Sequence, residues 1–358
     1  MLNNFVEKLF KNLNHSNITP GCVIASPTKN NPNYFYHWIR DSALTTLTLS
    51  KMYKKNIEKT FIKNFLLKYS LFEKHLQEIN NLGEPKFNVD GTNFMDDWGR
   101  PQNDGPAIRI ISCYEISKIY EDNKLFVRNY LYDGKLPSNT IIKKDLEYIC
   151  NNYNKPCFDL WEETYGFHFY TSYMQLIAMK IGIKLATSFG DFYASEYYFK
   201  IYQEIKSFIK NFYINNQIYS NLSPDLKPLR KHDTSLILLL TQPKFKYVEK
   251  LYYDEIYKKN INEMIHHFEK KYKAKYWIGR YYDDKYYNGN PWILLTASLG
   301  QYYKIIGEND KYNDIKHLIE TFYKNHKNLA EQININDMKP LSANHLSWSY
   351  CETIKLYL

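Results

Sequence analysis

The chain lacks most of the features that would place it in a simple class. None of its five cysteines (Cys22, Cys113, Cys150, Cys157 and Cys351) forms a CxxC pair, so zinc-site spacing is missing and no metal is expected. An odd, sparse set of thiols suits a reducing compartment, with one or two disulfides left open. No run of about 18 apolar residues occurs, which argues against a membrane-spanning helix. Residues 1–16 are amphipathic and charged, without the uninterrupted apolar core of a secretion signal. That points to an intracellular protein, cytoplasmic or vacuolar, unless the N-terminus has been trimmed. The net charge of +9 comes from scattered lysines. With no basic tail, arginine-rich arm or RNA-binding aromatic signature, nucleic acid is not an expected partner. The 35 tyrosines reflect composition bias and carry no meaning of their own.

What is present is helical periodicity. Residues 2–13 place Phe5, Leu9, Phe10 and Leu13 on one face. Further helices are expected over about 42–53, 57–76, 105–119, 140–152, 167–188, 191–213, 233–241, 257–272, 291–305, 310–325 and 342–357. Asp233 and Ser342 read as N-caps. Gly-, Pro- and Asn-rich loops fall at 20–41, 83–105, 155–166, 219–232, 277–291 and 328–341. No β-alternation is sustained across several segments and no linker divides the chain. Residues 1–358 therefore read as one all-α domain, and paired helices joined by polar, aromatic loops suit a closed ring of hairpins.

The loops are rich in groups that do chemistry. Tyr34-Phe35-Tyr36-His37-Trp38-Ile39-Arg40-Asp41 sets four aromatics beside an Arg–Asp pair, and Asp97-Trp98-Gly99-Arg100 is similar. Asp159-Leu160-Trp161-Glu162-Glu163 joins a tryptophan to two carboxylates. Trp277-Ile278-Gly279-Arg280, Asn290-Pro291-Trp292, Ala330-Glu331-Gln332 and Ser347-Trp348 follow. A sugar ring stacks its apolar face on an aromatic ring and needs charged partners for its hydroxyls. Loop-anchoring tryptophans with structural ion pairs would leave the same composition, so both readings stay open. Glycosidic cleavage needs one protonated and one ionised carboxyl group, roughly 6.5–9.5 Å apart for inversion and about 5–5.5 Å for retention. The Glu162–Glu163 neighbours are one obvious source.

In sequence and order these loops resemble glucoamylases, the glucan 1,4-α-glucosidases of glycoside hydrolase family 15. The matching stretches begin at Val23-Ile24-Ala25-Ser26-Pro27 and Asn33–Leu44. They continue through Gly83–Thr92, Trp98–Ala107, Phe158–Glu163, Gly279-Arg280-Tyr281 and Tyr286–Trp292, and end at Ala330-Glu331-Gln332, Leu341-Ser342-Ala343 and Leu346–Tyr350. The resemblance implies an (α/α)6 barrel, a six-hairpin toroid with the active site in loops at one end. It implies no cofactor, an α-glucan or maltooligosaccharide substrate, and a monomer. Glu162 resembles the general acid, Glu331 the general base and Ser342 the serine that orients that base. Glu163, Arg40, Asp41, Arg280 and the backbone of Leu160 resemble sugar contacts. Tyr34, Trp38, Trp98, Trp161 and Trp348 resemble the aromatic walls.

The implied activity is exo-hydrolysis of terminal α-1,4 bonds, and more slowly α-1,6 bonds, with inversion to β-D-glucose. The alternative is a weak or inactive glucan-binding or regulatory domain. Glu162 is expected to be kept protonated by apolar Leu160 and Trp161, and Glu331 to stay ionised in a polar stretch. Loops 219–232 and 332–341 are expected to decide linkage preference. His37, Ile39 and Asn344-His345 depart from the common pattern and are expected to alter outer sugar subsites. The chain is shorter than fungal catalytic domains and no starch-binding module follows Leu358, which favours soluble oligosaccharides or glycogen over granules.

Overall fold

Two kinds of apolar patterning run through the chain and build two kinds of helix. The computed structural model describes residues 1–241, 250–251 and 253–358. Besides shorter turns, the described residues form α1 (Leu2–Leu13), α2 (Ile39–Lys54), α3 (Lys59–Ile79), α4 (Asp104–Ile119), α5 (Ile141–Asn152) and α6 (Phe169–Ser188). These are followed by α7 (Phe192–Phe208), α8 (Ser235–Leu240), α9 (Glu255–Tyr272), α10 (Ile293–Ile305), α11 (Asn309–His326) and α12 (Ser347–Lys355).

The odd-numbered helices bury one face. In α11 the buried residues are Ile315, Ile319, Phe322 and Tyr323, the i, i+4, i+7, i+8 spacing of an amphipathic surface helix. The even-numbered helices are buried nearly all round: Ile39 to Ser50 without a break in α2, and every residue of α12. Such helices can only be an inner layer. Their small hydroxyl residues avoid orphaned groups by bonding back to their own helix. Ser42 Oγ donates to the Ile39 carbonyl (3.0 Å) and Thr46 Oγ1 to that of Ala43 (2.9 Å).

The inner helices pack in the cyclic order α2–α4–α6–α8–α10–α12 and back to α2, so six hairpins of outer then inner helix close a toroid. The chain's two ends seal it. α1 packs on α12, Ser347 N–H donates to the Ala25 carbonyl (2.8 Å), and Ser347 Oγ donates to that of Ile24 (2.7 Å). This is the (α/α)6 barrel.

Three local expectations differ. The 191–213 helix ends at Phe208 and finishes in a 3-10 turn. Strands of two to four residues, absent from the sequence reading, form four small antiparallel sheets. They are too short for alternation to register. Ser342 caps no helix: it sits at φ 64° in the left-handed region, and α12 starts only at Ser347. The cap position of α8 is Thr234, and Asp233, one residue before it, accepts the Ser235 N–H at 2.8 Å.

Candidate active site

A cavity of about 230 Å³ opens where the inner helices begin. Its walls come from the segments leading into those helices. Ala25, Tyr34, Trp38, Arg40 and Asp41 precede or start α2. Trp98 precedes α4, and Leu160, Trp161, Glu162 and Glu163 precede α6. Arg280, Tyr286 and Trp292 precede α10, and Glu331, Leu346 and Trp348 lead into α12. Inner-helix N-termini, which favour negative charge, therefore face the carboxylates gathered there. Asp41 and Asp104 lie in first turns.

Glu162 belongs to a tight turn and holds φ 67°, a left-handed conformation costly for a non-glycine residue. Buried Asp159 imposes it. The Asp159 carbonyl accepts the Glu162 N–H (2.9 Å), and its Oδ1 accepts the N–H groups of Glu163 (2.9 Å) and Thr164 (3.0 Å). Arg230 Nη1 in turn bridges Asp159 and Asp233, both at 3.0 Å. The Glu162 carboxyl is ringed by donors. Trp38 Nε1 (2.8 Å), Arg40 Nη2 (3.1 Å) and Gln102 Nε2 (3.1 Å) reach one oxygen, and Trp98 Nε1 (2.9 Å) the other.

Glu331 is enclosed instead, with 2% of its surface exposed. Burial raises its carboxyl to about 7, against the opposing pull of hydrogen bonds from Ser342, Tyr34 and Tyr286 and of the Arg280 charge. Ser342 Oγ donates directly to Oε2. The Tyr34 and Tyr286 hydroxyls share a 3.0 Å hydrogen bond. The surroundings expected from neighbours in sequence are thus reversed. Donors from distant loops line Glu162, whereas rings and hydroxyls from distant loops bury Glu331.

Two guanidinium groups flank the pair. Arg40 bonds Gln102 (2.9 Å), Asp104 (3.3 Å) and Glu162, while burial raises its neighbour Asp41 to about 6 despite the Arg40 charge. Arg280 grips Asp284 with two nitrogens (2.9 and 2.7 Å) and reaches Glu163 Oε1 at 2.7 Å. Its guanidinium lies 5.0–5.6 Å from the ring centres of Trp161, Tyr281, Tyr286 and Trp292. Trp161 is pinned by Asp233 and Trp348 by Glu352 (3.1 Å).

All the sequence-predicted site residues but one line this cavity; Ser342 stands behind it on Glu331. Trp277, read among the reactive loops, packs instead in the core against Phe322. Trp292, read among the reactive loops without a site role, lines the cavity, and Gln102 and Tyr286 were missed although they lie inside matching stretches. Asp159, Arg230 and Asp284 act one layer behind the wall, where a single sequence gives no signal beyond their proximity to the site loops. No residue of 219–232 or 332–341 lines the cavity. His37 is buried, bonds Glu73 (3.0 Å) and does not line the cavity. The five cysteines are free and buried. Among the described residues no His/Cys/Asp/Glu cluster could hold a metal, and no helix is long and apolar enough to cross a membrane.

A cavity with paired carboxyls, forked cations and aromatic walls is suited to acid–base chemistry on a hydroxyl-rich ring. Comparison with known proteins points the same way. The profile of glycosyl hydrolases family 15 matches residues 4–312, stopping short of Glu331. A glucoamylase of Saccharomycopsis fibuligera is 34% identical over 343 residues, which is 80% of this chain and 63% of that protein. The intracellular sporulation-specific glucoamylase of Saccharomyces cerevisiae is 40% identical over 194 residues, 49% of this chain and 34% of that protein. The chain thus spans about a third to two-thirds of these relatives' lengths. The solved glucoamylase of Hormoconis resinae superposes with TM-score 0.86 at 26% identity, covering 99% of this chain and 71% of that one. By profile, identity and fold, the chain belongs to glycosyl hydrolases family 15.

Proposed function

We propose that the chain is an inverting, exo-acting α-glucosidase. It removes glucose from the non-reducing ends of α-1,4-linked maltooligosaccharides, glycogen or soluble starch, and more slowly from α-1,6 bonds. Residues 1–358 act as a single catalytic domain and a monomer. The observation that carries this reading is the placement of Glu162 and Glu331. They sit on the loops leading into the third and sixth inner helices, which stand opposite one another in a ring of six, and both face one cavity. Inversion requires two carboxyls on opposite faces of a sugar ring with a water between one of them and the anomeric carbon.

In this reading Glu162 donates its proton to the glycosidic oxygen as the bond to the anomeric carbon breaks. Glu331, ionised, takes a proton from the water attacking the other face, and β-D-glucose leaves. Arg40 and Asp41 grip hydroxyls of the terminal sugar, and the fork of Arg280 with Glu163 and the Leu160 backbone grips others. Tyr34, Trp38, Trp98, Trp161 and Trp348 stack on it and exclude water. A cavity closed at its inner end admits only a chain terminus.

The test is proton NMR of the sugar first released from maltotriose. β-Glucose supports the reading. α-Glucose removes inversion, and no glucose at all leaves a binding domain.

A further inference from the structure

The short antiparallel pairing of His37–Trp38 with Lys86–Phe87 sets Lys86 directly across from Trp38. Lys86 is 2% exposed, an unusual place for an ammonium. Its Nζ lies 3.7 Å from the ring centre of Trp98, 4.0 Å from Phe94, 4.2 Å from Tyr36 and 4.6 Å from Trp38. The four rings brace each other edge to face, Tyr36 on Phe94 (5.2 Å) and Trp38, and Trp98 on Phe94 (5.9 Å) and Trp38 (6.0 Å). Two of these rings have a second task. The Trp38 and Trp98 indoles each donate Nε1–H to a different oxygen of Glu162.

We propose that Lys86, which lies outside the cavity wall, is a positioning residue for the proton donor: its caged ammonium fixes and polarises the two indoles that hold the Glu162 carboxyl. A cation over an indole face draws π density towards itself and makes the ring N–H a better donor. The cage also limits the swing of Trp98, which is 36% exposed. Burial lowers the Lys86 ammonium to about 8, so the charge is in place at acidic and neutral pH. The inference rests on Glu162 being the acid.

The experiment compares hydrolysis of maltose with hydrolysis of α-glucosyl fluoride. Fluoride leaves as an anion when its bond to the anomeric carbon breaks, whereas the sugar leaving group of maltose needs the proton from Glu162. Glu162→Gln should lower the maltose-to-fluoride rate ratio by roughly 100-fold or more. Lys86→Met should lower it by roughly 10-fold, and Lys86→Arg, whose guanidinium can also face the rings, should recover most of it. Both rates come from one preparation, so a loss of folded protein cancels. If Lys86→Met does not fold, Lys86→Gln is read in the same way. A wild-type ratio in Lys86→Met beside a collapsed ratio in Glu162→Gln overturns the inference and leaves Lys86 a core residue. A wild-type ratio in Glu162→Gln overturns the acid assignment, and the role of Lys86 falls with it.

Discussion

The two glutamates of the cavity live in opposite surroundings. Glu162 has four donors on its carboxyl and a side chain 16% exposed; Glu331 is sealed under Tyr34, Tyr286 and Ser342. The difference fits the two tasks. Within the proposed mechanism, a proton donor that must act on each incoming substrate needs fixed aim, and a ring of donors provides aim. A base that must hold one water needs seclusion, and its burial sharpens its hunger for a proton. Aim is carried by hydrogen bonds from two loops, those of Trp38 and Arg40 and of Trp98 and Gln102, and seclusion by hydroxyls from three, one of which, carrying Tyr34, also carries Trp38.

Exchanging either carboxyl should have the largest effect. Glu162→Gln and Glu331→Gln should each lower kcat on maltodextrin by roughly 1,000-fold or more with unchanged circular dichroism. A near-native rate in Glu331→Gln would remove the base assignment, which matters because the family match ends at residue 312. Next comes Arg40→Lys. It keeps the charge but loses the fork joining Glu162, Gln102 and Asp104, and should cost roughly 100-fold in kcat/KM. A smaller effect is expected from Ser342→Ala. Removing the hydroxyl takes away a hydrogen bond that holds the Glu331 proton affinity down. The acid limb of the pH profile should therefore move to higher pH, with about tenfold less activity. A limb that stays put would detach Ser342 from the base.

The smallest effect is on stability, and its sign is set by linkage. Glu331 titrates at about 7 in the fold against an ordinary 4.5. Its ionisation therefore costs the fold nothing below about 4.5, an increasing amount in between, and its full value above about 7. Glu331→Gln should match the wild type in unfolding free energy at pH 4 and exceed it at pH 8 by on the order of 3 kcal/mol, read as a higher Tm at pH 8 only. Equal melting at both pH values would show that the seclusion is not electrostatically costly.

How much was legible in the sequence follows from the range of each cause. Helix periodicity is local, and residues 104–119 and 293–305 could be read to within a residue or two. The ring could be inferred from paired helices joined by polar, aromatic loops, whereas the contrast between helices buried all round and helices buried on one face shows only in the structure. The site residues were legible as chemical types in loops and through the resemblance those loops carry. Their surroundings were not. Leu160 and Trp161 adjoin Glu162 in sequence, yet Trp38, Trp98, Arg40 and Gln102 make its environment. Ser342 reads as a cap because serine often is one, but its backbone turns left-handed to aim the hydroxyl at Glu331.

The seal between Ala25 and Ser347 has a consequence for synthesis of the protein. Glu162 and the four donors on its carboxyl belong to the first three hairpins, although Arg230 and Asp233, which brace its turn, come with the fourth. Glu331 and Ser342 arrive with the last few dozen residues, and only the docking of that segment onto the first loop shuts the toroid. In the proposed mechanism a chain without its last hairpin therefore has Glu162 but not Glu331, and only the closed ring sets the two across one cavity.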